Sequence, residues 1–414
     1  MRKVVLLAAA LAVTLAVVAS SAMSASTETG ITARTITIGG TFPLTGRASV
    51  YAPIPAAMKA YFSYVNSRKG PDGRRGIYGR QIVFKYYDDA YNPANTVQQT
   101  RKLVEEDKVF AVIGSLGTEH NEAIRPYLNA NKVPQLLNAT GASTWSRDAK
   151  RYPYTGGWQP DYEWEGRIYG QAIARNSPNA KIAVLYQNDS FGQDNLRGFR
   201  VGLGAKTSNI VGLESYELGA VDVRSQMARL RGSGATILVI FAIPTYAVPA
   251  YPIANALRWS PAVIYTSSVA ATDTFLTAAK NAGGGDLVDR TFTVQYAKDP
   301  ASPTWDNDAT MKLYKQIMAK YLPSSRATDG LNYYGMAAAH AFTQLMYKAG
   351  RNPTRAGLMR AFRTWDEVNP FLLPGNRQRT GGADQQPIGC ERVVKFSGGT
   401  FTPVSKLKCQ GAAT

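Results

Sequence analysis

The sequence predicts an α/β protein built as two Rossmann-like lobes with parallel sheets. Three observations carry that expectation. Apolar runs of strand length alternate with segments of helical period, the pattern of a parallel sheet with helices on both faces. The alternation breaks in a loop-like stretch at 138–154 and then restarts, so two similar α/β units follow one another. The chain has 414 residues, too many for one hydrophobic core. Apolar and aromatic content is ordinary for a globular protein, which excludes wholesale disorder.

The first stretch stands apart from the fold. Arg2 and Lys3 precede the uncharged apolar run Val4–Val18, and small residues follow over 19–25. That is the layout of a secretory signal covering 1–25, with cleavage between Ala22 and Ser26. An uncleaved membrane anchor is the alternative, since the uncharged stretch reaches about twenty residues. The clustered small residues favour cleavage. No Cys follows the apolar run, so the usual lipoprotein attachment point is missing.

Thr35–Ile38 reads as the first strand and runs into a turn-rich loop, Gly39–Tyr51. Ala56, Ala57, Ala60, Tyr61, Tyr64 and Val65 recur at helical spacing, and Gly70-Pro71 ends that helix. Gln81–Tyr87 alternates as a strand. Asn92-Pro93 supplies an N-cap and a first helical residue for a helix to about Asp107. Val109–Ile113 is a buried strand that ends at Gly114, and a helix follows up to about Ala130. In an open α/β sheet, ligands settle beyond the C-terminal strand ends, where the free N–H groups of a helix start face anions. Gly117 and Thr118 are therefore expected to hold the negative end of a small molecule. The alternative is an ordinary strand–helix turn. Val133–Leu137 completes this unit as a strand.

The second unit opens with a helix at Asp161–Arg175. Its strands are expected at Lys181–Tyr186, Val211–Tyr216, Ile237–Ala242 and Val263–Thr266. Its helices are expected at Gly192–Lys206, Arg224–Arg231, Tyr246–Trp259 and Thr272–Ala282, the third kinked by Pro249 and Pro252. A strand at Thr291–Tyr296 and helices at Thr304–Tyr321, Thr328–Ala349 and Thr354–Phe362 come next. Ile388–Phe396 and Thr400–Val404 flank Gly398-Gly399 as a hairpin. The two cysteines of the chain, Cys390 and Cys409, lie near its ends. Export makes a disulfide between them the expected state, with two free thiols as the alternative.

The formal charge is +18, or +16 once Arg2 and Lys3 are removed. The densest basic groups, 68–75 and 377–379, sit among Gly, Pro or Asn, and no nucleic-acid-binding motif accompanies them. The charge reads as a solvated surface, and no nucleic-acid partner is expected. Catalytic constellations are missing too. The two histidines, His120 and His340, are far apart in sequence. No G-x-S-x-G elbow, phosphate-binding loop or complete dinucleotide fingerprint is present. No Cys or His cluster has metal-ligand spacing. Asp88 and Asp89 are neighbours on a strand and point to opposite faces, which argues against a joint catalytic role. Neither an enzyme nor a cofactor is expected; a secreted hydrolase would need a nucleophile that the sequence does not show.

Six stretches now stand in order: GTFPLTGRASVY, KYYDDAYNP, VFAVIGSLGT, VPQLLNATGAS, KIAVLYQNDSFGQD and LNYYGMAAAHAFTQL. Their order and spacing resemble those of the periplasmic binding proteins of branched-chain amino acid ABC importers, from about Thr35 to about Gly350. The resemblance implies a two-lobe receptor with three crossover segments, one lobe at 30–156 plus 294–386 and the other at 157–293 plus 387–414. It also implies a monomer in the periplasm, a ligand held in the cleft by hinge closure, and docking on membrane permease subunits. Carried over position by position, it places the cleft tyrosine at Tyr51 and the carboxylate-binding hydroxyl at Thr118. The next loop falls at Ala139, Thr140 and Gly141, with Thr140 or Ser143 as its hydroxyl. The second lobe's aromatic falls at Phe191 and its tyrosine at Tyr246. The acid that would pair with a ligand ammonium falls at Ser268. No Asp or Glu occurs between Asp222 and Asp273. A buried ammonium needs a partner, so a small organic acid, aromatic acids included, is expected over leucine, isoleucine or valine. Tyr51, Trp145, Phe191 and Tyr246 would wall it in. Asp273 or Glu119 standing in for the acid would restore an amino acid as ligand. A ligand-sensing protein of the same fold is the remaining alternative.

Overall fold

The computed structural model describes residues 28–411; the expected export signal at 1–25 and the last three residues lie outside them. The chain opens with β1 (Thr35–Phe42), α1 (Pro53–Ser67), β2 (Gln81–Asp88), α2 (Pro93–Glu105), β3 (Val112–Ile113), α3 (Thr118–Ala130), β4 (Gln135–Asn138), α4 (Thr144–Arg147) and β5 (Thr155–Gly157). Its strands form one parallel sheet in the order β2-β1-β3-β4-β5.

The second unit runs α5 (Tyr162–Asn176), β6 (Ile182–Gln187), α6 (Ser190–Leu203), β7 (Ile210–Tyr216), α7 (Arg224–Gly232), β8 (Ile237–Phe241), α8 (Pro244–Ala256), β9 (Val263–Thr266), α9 (Asp273–Ala279) and β10 (Thr291–Gln295). The chain then returns to the first unit. There α10 (Ala309–Tyr321) and α11 (Gly330–Ala349) pack on α1, and α12 (Arg355–Arg363) packs on α11. A short antiparallel pair, β11 (Asp366–Glu367) and β12 (Gln378–Arg379), follows. The last crossing delivers β13 (Cys390–Ser397), β14 (Thr400–Pro403) and β15 (Lys408–Cys409) to the second sheet. That sheet is ordered β14-β13-β10-β9-β8-β6-β7 and is parallel from β10 to β7, with β13 and β14 antiparallel at one edge. Three segments thus link the two α/β units.

The elements follow from local chemistry. Asn92 caps α2 by accepting from the Ala94 amide at 2.9 Å. Asp329 caps α11, and Gly350 ends it at φ 89°. Every residue of β8 is buried, as a central parallel strand requires. Helices α5 and α6 meet through glycine. A Cβ on Gly166, Gly170, Gly198 or Gly202 would come within 2.1, 2.3, 1.9 and 2.2 Å of a carbonyl oxygen on the opposite helix.

Several boundaries differ from expectation. Val109–Ala111 lies outside β3; the Phe110 amide and the Ala111 carbonyl still bond to Thr37 and Gly39 of β1, while the Arg355 guanidinium takes the carbonyls of Val109 and Phe110, at 2.7 and 3.0 Å. The helix expected over 272–282 is α-helical to Ala279, widens to a π-helical turn at Lys280–Gly284 and tightens to a 3-10 segment at Gly285–Arg290, with Gly283 and Gly285 at positive φ. The helix expected from Thr304 starts at Ala309, because Asp308 serves as its cap. Loop 138–154 contains the single turn α4. Cys390 and Cys409 are joined, directly opposite each other in the β13–β15 pair.

Candidate functional site

A cleft of about 1100 Å³, counting its opening, lies between the two units. The first unit contributes Tyr51, Tyr91, Gly117, Thr118 and Ala139 to its walls. The second contributes Phe191, Ser268, Val269 and Asp273, the crossovers add Gln159 and Tyr296, Tyr162 enters where a crossover meets α5, and Tyr334 comes from α11. Hydrogen bonds bridge the cleft. Tyr51 donates its hydroxyl to the Val269 carbonyl at 3.1 Å. Arg47 donates to the Ala220 carbonyl at 2.5 Å and accepts on its own carbonyl from Thr245 at 2.5 Å. Ser190 donates to Glu122 at 3.1 Å. The two units are therefore drawn together over the cavity.

The turn at Gly117–Thr118 is built for close approach. Gly117 sits at φ 103°, and a Cβ there would strike the His120 ring at 2.4 Å. The first intrahelical bond of α3 runs from the Asn121 amide to the Gly117 carbonyl. The amides of Thr118, Glu119 and His120 lie ahead of it and have no partner within the helix. The Asn121 side chain pins the turn further by donating to the carbonyls of Ser115 and Gly117 at 2.7 and 2.8 Å. Thr118 and Thr140 share a 2.6 Å hydroxyl–hydroxyl bond. Thr140 thus stands behind Thr118, outside the cleft walls.

Other expected residues fall elsewhere. Gly141 lies outside the walls; its carbonyl accepts from the Tyr162 amide and the Gln386 side chain, tying two crossovers together. Ser143 bonds to Asp194 and Glu163 on the second unit. Trp145 is buried in the first unit, with its indole N–H on the Thr140 carbonyl at 3.2 Å. Tyr246 is buried against Tyr216, with ring centroids 4.2 Å apart, and its hydroxyl donates to the carbonyls of Leu218 and Ala220. Trp145 and Tyr246 therefore do not line the cleft. Glu119 is also absent from its walls. Asp273 does line it, and burial, reinforced by nearby Asp299, pushes its carboxyl up to about 6.

Sequence reasoning missed Tyr91, Tyr162, Tyr334 and Glu165. Tyr91 is aimed by a left-handed pair, Ala90 at φ 49° and Tyr91 at φ 56°, a conformation that ordinary side chains rarely adopt. Asp89 holds that bend by accepting from the Tyr91 amide at 3.0 Å. The Asp-Ala-Tyr-Asn run was the available signal, since Asp favours such turns. The Tyr91 ring lies 4.2 Å from His120, whose two ring nitrogens are buried without a hydrogen-bond partner. Burial lowers the His120 pKa to about 4, so it is neutral near pH 7. Phe191 meets Tyr162 edge-to-face at 4.9 Å. The Tyr334 hydroxyl donates to Gln159 at 3.1 Å. Behind Ser268 lies Glu165, buried at 2% exposure; it accepts from the Ser268 amide and hydroxyl, both at 2.8 Å, and from Tyr169 at 2.9 Å. Among the described residues, no group of His, Cys, Asp and Glu could hold a metal ion, and no helix is long and apolar enough to cross a membrane.

Two α/β units, three connecting segments and a walled cleft between them define the class of bilobal type I binding folds. The sequence pattern of the periplasmic binding protein family matches residues 35–400, and the chain belongs to that family. A Leu/Ile/Val-binding protein homolog 3 of Brucella melitensis is 22% identical over 49% of this chain and 53% of its own length. The chain thus spans about half the length of that curated relative. The fold matches three solved structures over nearly their whole length. A branched-chain amino acid ABC transporter protein from Thermus thermophilus with bound valine has a TM-score of 0.77 at 19% identity, covering 92% of this chain and 98% of that one. A fatty acid ABC transporter substrate-binding protein from Thermomonospora curvata gives 0.76 at 20%, covering 93% and 95%. A solute-binding protein from R. palustris in complex with benzoate gives 0.74 at 19%, covering 91% and 98%.

Proposed function

We propose that this chain is the extracytoplasmic solute receptor of an ABC importer and encloses a small carboxylate-bearing molecule between its lobes. The observation that carries the reading is the Gly117–Thr118 turn. It presents free amides and a hydroxyl to a cleft whose walls include the rings of Tyr51, Tyr91, Tyr162 and Phe191. A helix start of this kind favours an anion, and the rings favour an apolar body. One lobe comprises 30–156 plus 294–386 and the other 157–293 plus 387–414. The chain works as a monomer in the periplasm without a cofactor, and closes on its ligand by a hinge at the three crossovers. The closed form docks on the membrane permease. That the three structural neighbours are described with valine, fatty acid and benzoate supports a carboxylate and leaves its body open.

Micromolar affinity corresponds to about −8 kcal/mol. One or two charge-assisted hydrogen bonds and a buried ring supply that order of energy. A thermal-shift screen of aliphatic acids, aromatic acids and amino acids tests the reading. Stabilisation by at least one carboxylate is expected, and none by its amide. Stabilisation by neutral or cationic solutes alone would remove the anion site.

A second reading, an amino acid such as leucine, isoleucine or valine, rests on Asp273. It is an acid that lines the cleft, and its nearest cation, Arg326, stands off at 3.7 Å.

A further inference from the structure

Ser268 stands where the resemblance puts an acid, yet a carboxylate is present one layer deeper. Glu165 on α5 receives both the amide and the hydroxyl of Ser268. Because that hydroxyl spends its hydrogen on Glu165, only the lone pairs of Ser268 Oγ remain for the cleft. Ser268 can then accept from a ligand but not donate to it. Glu165 in turn is fixed by the Tyr169 hydroxyl, which also reaches the Thr266 carbonyl at 3.0 Å and Thr293 at 3.2 Å.

Glu391 completes the arrangement. It is 1% exposed on β13, and neither of its carboxyl oxygens has a hydrogen-bond partner. Burial pushes both acids up, and the charge of Glu165 pushes Glu391 further. The donors gathered on Glu165 oppose that push, and Glu391 has none. Of the two acids, Glu165 is therefore the one whose surroundings support it as an acceptor behind Ser268.

We propose that Glu165 is a specificity-positioning residue acting through Ser268, and that it selects a ligand carrying a hydrogen-bond donor, hydroxyl or ammonium, besides its carboxylate. The inference rests on the proposed ligand site and narrows its substrate class. A bare fatty or aromatic acid leaves the Ser268 lone pairs desolvated and unmatched, whereas a hydroxy acid or amino acid satisfies them.

The test is calorimetry on matched carboxylates. One series is 4-methylpentanoate, 2-hydroxy-4-methylpentanoate and leucine; the other is 3-phenylpropanoate, phenyllactate and phenylalanine, with benzoate beside its hydroxylated forms. In the wild-type chain, a donor-bearing member should bind about tenfold or more tighter than its bare parent, a gap of about 1.4 kcal/mol. In Ser268→Ala that gap should collapse, because the donor-bearing member binds more weakly while the bare acid, relieved of an unmatched hydroxyl, binds at least as tightly as before; Glu165→Gln should narrow the gap in the same sense, and Ser268→Thr should retain it. Either order of the hydroxyl and ammonium members supports the proposal and names the donor. Equal binding of bare and donor-bearing acids by the wild type, or a gap that survives Ser268→Ala, overturns it. Should Glu165→Gln fail to fold, Ser268→Ala alone decides. If no carboxylate binds at all, the proposed ligand site fails with it, an outcome distinct from binding without discrimination.

Discussion

At the residue scale, Thr118 bears the first test. Its hydroxyl shares a proton with Thr140 and faces the cleft, so Thr118→Val removes one hydrogen-bonding group at nearly constant shape. It should weaken carboxylate binding by about 1–3 kcal/mol in calorimetry; unchanged affinity would take Thr118 out of the site. The histidines give a second. Burial lowers His120 and His340 to about 4, against an ordinary value near 6.5. A depressed folded-state pKa means that their contribution is fully present above pH 6.5. It is lost as the pH falls toward 4, because the unfolded chain then binds protons that the native chain refuses. NMR should show no imidazole titrating between pH 8 and 5, and a signal with a midpoint near 6.5 would contradict the burial of that ring. The cleft positions of Tyr51, Gly117, Thr118, Ala139 and Phe191 were legible because each follows a strand end within a recognisable stretch, and that of Ser268 because it follows β9 where the resemblance puts an acid. Tyr91, Tyr162, Tyr334 and Glu165 were not. They reach the site from a strained bend, a crossover and the flanks of two long helices, and only tertiary packing brings them there.

At the element scale, the tail is the clearest unit. The Cys390–Cys409 bond closes a separation of 19 residues across the β13–β15 pair. In the chain-entropy account, such a loop contributes about 3 kcal/mol. Cys390→Ser should lower stability by roughly that much in denaturant unfolding, and the loss should vanish when both proteins are measured in reductant. Mass spectrometry of unreduced protein should show the two cysteines joined. Strand identity was readable wherever an apolar run pairs only with its neighbours, as in β8. It differed at Val109–Ala111, where the pairing with β1 is partial and Arg355, nearly 250 positions away, takes the carbonyls of Val109 and Phe110. No periodicity records a partner at that distance. Helix ends at 279 and 309 were missed because a glycine pair and an Asp cap overrode an apolar pattern that continued past them.

At the scale of the whole molecule, Arg47 and Tyr51 of the first unit hold the second unit across the cleft. Tyr51→Phe and Arg47→Ala each remove one bridging donor without altering either sheet. Each should speed ligand release, with a loss of about 0.5–1.5 kcal/mol in affinity carried by koff rather than kon. Stopped-flow measurement separates the two, and a change confined to kon would contradict a clasp at this position. The division into two α/β units was legible from the restart of the strand–helix alternation, whereas the hairpin's own residues carry no mark of the sheet they join, and only the family resemblance placed 387–414 with the second unit. The glycine contact between α5 and α6 has a bearing on cargo size. Glu165, behind the wall residue Ser268, directly precedes Gly166, and the wall residue Phe191 lies in the first turn of the helix that carries Gly198, so both hang from rods spaced by bare backbone. One methyl group inserted at Gly198 would act as a shim, tilting that wall as a block. The width of the cleft in this chain is thus set in part by a contact that lies outside its walls.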